Sequence, residues 1–342
     1  MEKTDILSLT KEELTEKIAE MGEKPFRAKQ IYDWLHIKKV TSFSQMSNIS
    51  AQLQDKLSNS FCIKSLKIKK RLVSSIDNTV KYLYGLEDGE AVECVLMEYK
   101  HGNSLCISTQ VGCKMGCRFC ASTIAGFVRH LKPSEMLREI YDTELDSGRH
   151  VDSIVLMGIG EPLDNFDNVI KFLTILNDSG DGMSLRRVSL STCGVCDKIY
   201  ELAKLKLGVT LSVSLHAATD EKRSAIMPIN NRFNLKTLMK ACDDYFAATG
   251  RRISFEYSLI EGVNDTDESA QELISLLHGK NCHVNLIPIN EITERDFKTS
   301  RYVERFQKRL LSAGINATVR RTLGADINAA CGQLRRDDKA EE

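Results

Sequence analysis

The 342-residue sequence has no long hydrophobic run, no apolar leader and no excess of charge of one sign. Its apolar stretches fall well short of the roughly 20 residues that a membrane-spanning helix needs, so we expect no membrane partner. The first residues, Met1-Glu-Lys-Thr-Asp5, lack the basic and then apolar order of a signal peptide. Basic and acidic residues number 47 each, so the net charge is no evidence for nucleic-acid binding.

Pairing patterns are also missing among the cysteines. The chain has 11 of them, an odd number, without the spacing of a disulfide framework. Unpaired thiols in a chain of this length are typical of a reducing compartment. With ordinary fractions of hydrophobic (42%) and charged (27%) residues, the sequence predicts a globular cytoplasmic protein, which we expect to be a monomer.

Residues 1–90 have the pattern of an accessory region. Apolar residues at helical spacing predict three helices, which follow Thr10, follow Pro25 and run through Ile49. The period then changes to two, which predicts strands over 66–73, 80–84 and 92–99. We therefore expect an N-terminal helical domain that contacts RNA, followed by a small β extension.

From about residue 104, strand, loop and helix alternate. Strands are predicted near 105–109, 151–157, 187–191, 209–215, 252–259, 283–288 and 316–321. This alternation gives a parallel sheet with right-handed crossovers. Six or seven units are too few for an eight-fold barrel, so the expected fold class is α/β, with a partial (β/α)6-type barrel. We expect this barrel domain to span residues 91–334 and a charged tail to span 335–342.

Three cysteines stand close together in the loop after the first of these strands. Cys113, Cys117 and Cys120 form a CxxxCxxC motif. A structural zinc site takes four ligands and a [4Fe–4S] cluster normally takes four thiolates, so three thiolates leave one iron open. The spacing resembles that of radical S-adenosylmethionine (SAM) enzymes, in which SAM binds the fourth iron through its amino and carboxylate groups.

Other polar motifs follow the remaining strands, where the carboxyl ends of a β/α barrel build its active site. A carboxylate there could pair with the ammonium group of SAM, and hydroxyl, imidazole and amide groups could bind its carboxylate, ribose and adenine. The residues are Glu161 in Gly158-Ile-Gly-Glu-Pro162, Ser191, Ser214, His216 and Asn290. Each also has an ordinary explanation as a turn residue or a strand-end hydrogen-bonding group.

A second type of candidate is a cysteine outside the cluster motif. Cys331 lies between Ala-Ala and Gly-Gln after the last strand, where small neighbours leave its thiol accessible. Cys106 lies in an apolar strand, where a buried inert thiol is the commoner case. Glu93 lies in an alternating strand, where a polar outward face is the default interpretation.

Several strings together resemble the RlmN/Cfr family of radical SAM RNA methyltransferases. They are Leu105-Cys-Ile-Ser-Thr-Gln-Val-Gly-Cys-Lys-Met-Gly-Cys-Arg-Phe-Cys120, Met157-Gly-Ile-Gly-Glu-Pro162, Ser212-Val-Ser-Leu-His216 and Asp326-Ile-Asn-Ala-Ala-Cys-Gly-Gln-Leu334. The likeness continues through residues 24–34 and 255–265, so it covers nearly the whole chain.

The resemblance implies a role for each site residue. Cys113, Cys117 and Cys120 would ligate the [4Fe–4S] cluster. Cys331 matches the methyl-carrying cysteine, Cys106 the second catalytic cysteine and Glu93 the proton acceptor. The residues that would line SAM are Gly160, Glu161, Ser191, Ser214, Leu215, His216 and Asn290.

The family's chemistry uses two SAM molecules per turnover. One methylates Cys331, and the deoxyadenosyl radical from the second takes a hydrogen atom from that methyl group. The methylene radical adds to an adenine and tethers the RNA to Cys331. Proton removal by Glu93 or Cys106 then lets Cys106 attack the sulfur of Cys331, which releases the product as a disulfide bond forms.

The resemblance also implies partners. RlmN-type members methylate carbon 2 of an adenosine in 23S rRNA and of the adenosine 3′ of certain tRNA anticodons, whereas Cfr-type members use carbon 8 of the rRNA adenosine. Gly160-Glu161-Pro162, residues 286–288 and residues 318–321 favour the RlmN pattern. We therefore expect carbon-2 chemistry on 23S rRNA and tRNA, with an electron donor such as flavodoxin or ferredoxin.

Two departures leave alternatives open. Asn328 stands where the family commonly has Asp, which puts a charge-based role at that position in doubt. Cys193 and Cys196 form an unexpected CxxC motif, which with Cys117 and Cys120 could make a zinc site in a non-catalytic RNA-binding module. A radical SAM enzyme acting on a peptide or small molecule is a further alternative, against which the string around Cys331 argues.

A basic ribbon is the best local indication of RNA contact, although basic runs are usually just solvated faces. Its members are Lys64, Lys67, Lys69, Lys70 and Arg71, with Arg27, Lys29, Lys38 and Lys39 nearby in the accessory region.

Overall fold

The computed structural model describes residues 3–180, 183–330 and 332–334. The α-helices of this part are α1 Lys11–Glu20, α2 Phe26–His36, α3 Ala51–Ser60, α4 Pro133–Ser147, α5 Phe166–Asp178, α6 Cys196–Leu205, α7 Asp220–Ile226, α8 Leu235–Thr249, α9 Asp267–Leu277 and α10 Val303–Ser312. Its strands are β1 Thr4–Asp5, β2 Phe61–Cys62, β3 Lys67–Val73, β4 Val80–Gly85, β5 Ala91–Tyr99, β6 Gly102–Cys106, β7 Gln110–Val111, β8 Arg129–His130, β9 Ser153–Leu156, β10 Val188–Thr192, β11 Thr210–Ser214, β12 Ile253–Leu259, β13 Cys282–Pro288 and β14 Ala317–Val319.

One large sheet organises the molecule. Its strand order is β14-β13-β12-β11-β10-β9-β6-β5-β4-β3. The strands from β14 to β6 pair in parallel, and β5, β4 and β3 continue the sheet as an antiparallel extension. Helices connect the parallel strands, so the predicted α/β class with a partial barrel is confirmed. No helix in the described part of the chain is long and apolar enough to cross a membrane.

The three accessory helices form close to their predicted positions, and α2 packs on α5 of the barrel. Thr10 caps α1 through a capping box, in which its hydroxyl accepts from the Glu13 backbone and the Glu13 carboxylate accepts from the Thr10 backbone. Ile49 precedes α3 rather than lying in it, because the Ser50 hydroxyl caps the helix by accepting from Leu53 N–H. The Tyr32 hydroxyl donates to the Ile175 carbonyl at 3.2 Å, which fastens α2 to α5.

The strand that leads to the cysteine motif ends earlier than predicted. The sequence pattern continues to residue 109, but β6 ends at Cys106. The Ser108 N–H donates to the buried Glu139 carboxylate at 3.0 Å, and the Thr109 N–H donates to the Ile159 carbonyl at 2.9 Å. These bonds turn the chain out of the strand and towards the loop after β9.

Both faces of β5 are buried, which corrects the expectation of a polar outward face. Val92, Cys94 and Leu96 face the main core, whereas Val95 and Met97 face a second apolar cluster. That cluster contains Leu323, Ala329 and Leu334 from the segment after β14. Glu93 alternates onto this second face, and only 6% of it is exposed.

Candidate active site

The predicted site residues meet in one cavity at the carboxyl ends of the parallel strands. Its volume is about 950 Å³, counting the part that opens to solvent. Leu215 is fully buried behind it and donates its N–H to the Glu256 carbonyl at 3.0 Å. The predicted residues that line the cavity are Cys113, Cys117, Cys120, Gly160, Glu161, Ser191, Ser214, His216 and Asn290.

The three motif cysteines sit at one wall of this cavity. Burial raises the pKa of the Cys113 thiol to about 12, and the nearby Cys120 thiol adds to the effect. Burial also raises the pKa of the Cys117 thiol well above its ordinary value. Three thiolates here therefore need a positively charged partner, which the irons of a [4Fe–4S] cluster would provide. The donor set fits such a cluster.

A site for a single metal ion is not formed by the described residues. No group of three or more His, Cys, Asp or Glu side chains in ranges 3–180, 183–330 and 332–334 is arranged to hold one. The zinc alternative needs such a group, whereas an iron–sulfur cluster does not, because each thiolate binds a different iron. Cys193 lines the cavity beside the motif, but Cys196 packs in the hydrophobic core. No disulfide joins two described cysteines.

The loop that carries Glu161 lies unusually close to the cysteine-bearing segment. A Cβ on Gly158 would stand 2.6 Å from the carbonyl carbon and oxygen of Ile107, and a Cβ on Gly160 would stand 2.6 Å from Gln110 Cβ. Gly160 also has a φ of 112°, which favours glycine. These glycines let the loop after β9 pack directly against residues 107–110.

The Glu161 carboxylate is buried and fixed by the backbone. It accepts hydrogen bonds from Leu163 N–H at 3.0 Å and from Cys193 N–H at 2.7 Å. Burial raises its pKa, and these bonds oppose the rise by favouring the charged form. The carboxylate lines the cavity in a fixed orientation, as recognition of an ammonium group requires.

His216 is held as a neutral imidazole. Its Nδ1 accepts from Ser258 N–H at 2.9 Å, so the ring proton is on Nε2. Burial lowers its pKa to about 3, and the charge of Arg223 acts in the same direction. Its ring stands edge-on to Phe119, with centroids 4.8 Å apart, so it contacts the cysteine motif directly.

Arg223 is a buried residue that the sequence analysis does not single out. Its guanidinium donates to the carbonyls of Cys193 at 2.7 Å, Ser214 at 3.1 Å and Leu215 at 3.1 Å. It also donates to the Asn230 side chain at 3.0 Å. Cys193 directly follows β10, Ser214 is the last residue of β11 and Leu215 follows it. One guanidinium therefore holds together the carboxyl ends of two neighbouring strands that line the cavity. Its place in the short helix α7 gives no sign of this in the sequence.

Glu256 is a second lining residue that the sequence analysis does not predict. One carboxylate oxygen accepts from the Ser212 hydroxyl at 2.7 Å and from the Asn285 amide at 3.0 Å. The other oxygen lies 3.8 Å from Arg320 Nη1. The inner face of the barrel is therefore polar below the cavity, where only apolar packing would be expected from the strand pattern.

A second cavity adjoins the first and contains Cys106. The two share Met157, Ile287, Asn290 and Arg320 in their walls. Cys331 lies outside the described residues, but Ala330 lines the second cavity and Gly332 the first. The two chain neighbours of Cys331 therefore line different cavities. Glu93 lies on the same face of the antiparallel extension as Cys106, since Val95 pairs with Cys106 across β5 and β6.

The basic residues predicted to face RNA divide into two groups. Lys67 and Lys69, on the edge strand β3, are exposed. Others are engaged by acidic residues of the protein, as Arg71 is by Asp146 at 2.9 Å and Lys39 is by Glu144. Exposed lysines on an edge strand also prevent that strand from pairing with the sheets of other molecules. The exposure of Lys67 and Lys69 can therefore be explained without RNA binding.

Comparison with known proteins agrees with this geometry. Residues 4–63 match the family described as ribosomal RNA large subunit methyltransferase N-terminal domain, and residues 107–274 match the radical SAM superfamily. A protein of Lachnoclostridium phytofermentans named probable dual-specificity RNA methyltransferase RlmN is 53% identical to this chain, and the alignment covers 98% of this chain and 95% of the relative. A protein of the same name from Clostridium perfringens is also 53% identical, and the alignment covers 97% of this chain and 96% of the relative. A crystal structure of a radical SAM methyltransferase from Sphaerobacter thermophilus superposes with a TM-score of 0.92 at 38% identity, covering 97% of this chain and 99% of that one. The chain therefore belongs to the RlmN family of radical SAM RNA methyltransferases.

Proposed function

We propose that this protein methylates carbon 2 of an adenosine in 23S rRNA and of the adenosine 3′ of the anticodon in tRNA. The observation that carries the proposal is the pair of adjoining cavities. The first cavity is lined by the three motif cysteines and the second by Cys106. Of the two residues that flank Cys331, Gly332 lines the first cavity and Ala330 the second. A reaction that passes a carbon unit from SAM to RNA through a cysteine needs this juxtaposition.

In this proposal Cys113, Cys117 and Cys120 hold a [4Fe–4S] cluster. The cluster and SAM would supply a carbon radical by one-electron cleavage, with flavodoxin or ferredoxin as the reductant. Glu161 would bind the SAM ammonium, and Gly160 gives the loop its shape. The side chains of Ser191, Ser214, His216 and Asn290 would bind its carboxylate, ribose and adenine. Buried Leu215 fixes the backbone between Ser214 and His216.

The sulfur chemistry is assigned to the second cavity. Cys331 takes up a methyl group as a thioether, loses one hydrogen atom from it, and forms a carbon–carbon bond from the methylene to carbon 2. The adduct gives up the electron that the reductant had supplied, and Glu93 or Cys106 takes the proton of carbon 2. The Cys106 thiolate then bonds to the sulfur of Cys331 as the methylene–sulfur bond breaks. That bond's electron pair stays with the methylene group, which is protonated to methyl, and a dithiol reductant reopens the disulfide.

Carbon 2 is favoured over carbon 8 by the sequence of the loop after β9. Gly160-Glu161-Pro162 has the RlmN pattern, and the relatives of about 50% identity carry the RlmN name. Both relatives are named as dual-specificity enzymes, which supports rRNA and tRNA as substrates here.

RNA contact is assigned to the accessory region. We propose residues 1–90 as the accessory domain, 91–334 as the barrel domain and 335–342 as a tail. The match of residues 4–63 to a ribosomal RNA methyltransferase N-terminal domain supports this assignment, and exposed Lys67 and Lys69 would meet phosphates. A target base has to leave its stack to reach the second cavity.

The test is nucleoside mass spectrometry on protein-free 23S rRNA and tRNA from a strain that lacks the modification. The anaerobically reconstituted protein should form 2-methyladenosine with SAM and a reductant, and Cys331→Ala should form none. Formation of 8-methyladenosine would move the protein to the Cfr type. If the wild-type protein holds its cluster and cleaves SAM but modifies neither RNA, the proposed function is wrong.

Replacing Gly158 with Ala should weaken SAM binding. The new Cβ would overlap the Ile107 carbonyl, and overpacking of this kind costs about 1–3 kcal/mol. Displacement of the Glu161 loop should therefore raise the dissociation constant for SAM about tenfold, measured by calorimetry on the reconstituted protein. Gly208→Ala is the matched control, because the nearest atom to its Cβ would be Arg186 Cγ at 3.4 Å, which is an ordinary contact. Equal SAM affinities in the two variants would contradict the prediction.

A further inference from the structure

We propose that Lys81 is a positioning residue for the reaction, which joins the Glu93 carboxylate to the backbone of the segment that carries Cys331. The inference rests on the proposed function, because it gives Lys81 a task only if Glu93 accepts the proton of carbon 2. Lys81 lies in the antiparallel extension, to which the cluster and SAM motifs of the barrel assign no part in the reaction.

Lys81 is buried in a position that ordinarily excludes lysine. Its ammonium lies 2.9 Å from Glu93 Oε1, with side-chain exposures of 7% and 9% for the two residues. Burying these two charges is costly, so the pair is weak evidence for a stabilising role and a positioning role can be tested instead. Lys81 also pairs with Val95 in register, and Val95 pairs with Cys106. The three strands thus bring Lys81, Glu93 and Cys106 to one face.

The same ammonium reaches the Cys331 segment. Lys81 Nζ donates to the Asn328 carbonyl at 3.3 Å, three residues before Cys331. This bond uses the backbone, so it does not depend on the side chain at position 328. It therefore accounts for a tolerance of Asn where the family commonly has Asp.

The turn between β3 and β4 strengthens this attachment. The Asp77 carboxylate accepts from Gly324 N–H at 2.9 Å, and the Asp326 carboxylate accepts from Ser75 N–H at 2.9 Å. Together with Lys81, these contacts hold residues 324–328 over the antiparallel extension. The hairpin β3–β4 therefore sets the path of the chain as it approaches Cys331.

The chain is also fixed on the other side of Cys331. Ala121 N–H donates to the Gly332 carbonyl at 2.8 Å, and the Ser122 hydroxyl donates to the Leu334 carbonyl at 2.9 Å. The two donors are the first two residues after Cys120. The segment is thus held between the cysteine motif on one side and the Lys81–Glu93 pair on the other.

Two consequences follow for catalysis. The Lys81 ammonium, 2.9 Å from Glu93 Oε1, fixes the orientation of the buried carboxylate. The bond to Asn328 keeps that carboxylate in register with the adduct on Cys331. Loss of Lys81 should therefore slow the step in which the proton leaves carbon 2, and not the earlier transfer of the methyl group to Cys331.

The experiment compares Lys81→Met with wild type and with Lys39→Met. Lys39 is the matched control, because it pairs with Glu144 at similar burial but away from both cavities. Three quantities are measured on each reconstituted protein: methylation of Cys331 by peptide mass spectrometry, covalent RNA–protein adduct by gel shift, and methylated adenosine. Lys81→Met should keep Cys331 methylated, accumulate adduct and release product at least tenfold more slowly, whereas Lys39→Met should accumulate no adduct.

Two further variants separate positioning from folding. Lys81→Arg should restore at least part of the product release, since it keeps the charge. In a Glu93→Gln background Lys81→Met should cause no further accumulation of adduct, because its target is already gone. Loss of Cys331 methylation in folded Lys81→Met, or equal behaviour of the Lys81 and Lys39 variants, would overturn the proposal. The wild-type protein is measured before any variant is compared. If it never carries a methyl group on Cys331, the proposed function is wrong, and the inference about Lys81 is not the cause of the failure.

Discussion

Replacing Cys106 with Ala should stop product release and leave RNA attached to the protein. In the proposed mechanism the Cys106 thiolate attacks the sulfur of Cys331, so its loss should leave the methylene–sulfur bond unbroken. The yield of methylated adenosine should fall by about 10³-fold or more, as expected when a covalent catalytic group is removed. The measurement is a denaturing gel of protein and labelled RNA, with nucleoside mass spectrometry on the released RNA.

Cys94→Ala is the control for this experiment. Cys94 lies on β5 and is buried like Cys106, but it faces the main core, where its thiol lies 3.5 Å from the Thr143 hydroxyl. Its loss should lower stability slightly and leave no adduct. Wild-type product yield from the Cys106 variant would contradict the role given to this thiol. Adduct in both variants would show that the gel detects general damage to the sheet.

Replacing Arg223 with Met should destabilise the protein strongly and weaken SAM binding. The substitution leaves the carbonyls of Cys193, Ser214 and Leu215 buried without their donor. Each unsatisfied buried group costs about 1–3 kcal/mol, so the free energy of unfolding should fall by about 3 kcal/mol or more. Urea unfolding of the cluster-free protein measures this loss, and calorimetry with SAM on the reconstituted protein measures the effect on binding.

Arg232→Met shows what the loss of an exposed arginine does. Arg232 pairs with Asp197 at 3.2 Å, but its side chain is 67% exposed. Surface pairs of this kind contribute about 0–1 kcal/mol, so the urea midpoint should hardly move. Similar midpoints for the two variants would mean that the carbonyls around Arg223 find other donors.

Most of the sheet could be predicted because each parallel strand carries its own apolar pattern. β12, predicted over 252–259, is Ile253–Leu259, and β13, predicted over 283–288, is Cys282–Pro288. The cavity lining could be predicted for the same reason, since the carboxyl ends of all the parallel strands meet at the same end of the barrel. His216 and Glu161 meet Cys117 in one cavity without any sequence proximity.

Other features depend on contacts that no local pattern contains. Glu93 is buried because a segment more than 200 residues later covers its face of β5, so strand alternation alone gives the wrong exposure. Lys81 is also buried, and its ammonium donates to the Asn328 carbonyl of the same segment. Arg223 lies in a polar helix whose pattern is typical of a surface, and only the carbonyls of β10 and β11 explain its burial.

Residues 323–330 also link the two edges of the large sheet. This segment leaves β14 at one edge of the ten-stranded sheet and is bonded to the turn between β3 and β4 at the other edge. The Asp77–Gly324 bond joins residues 247 positions apart, and closing so long a loop from an unfolded chain costs about 5 kcal/mol of entropy. This closure becomes favourable only after the sheet between its ends has formed, so it belongs to the late stages of folding.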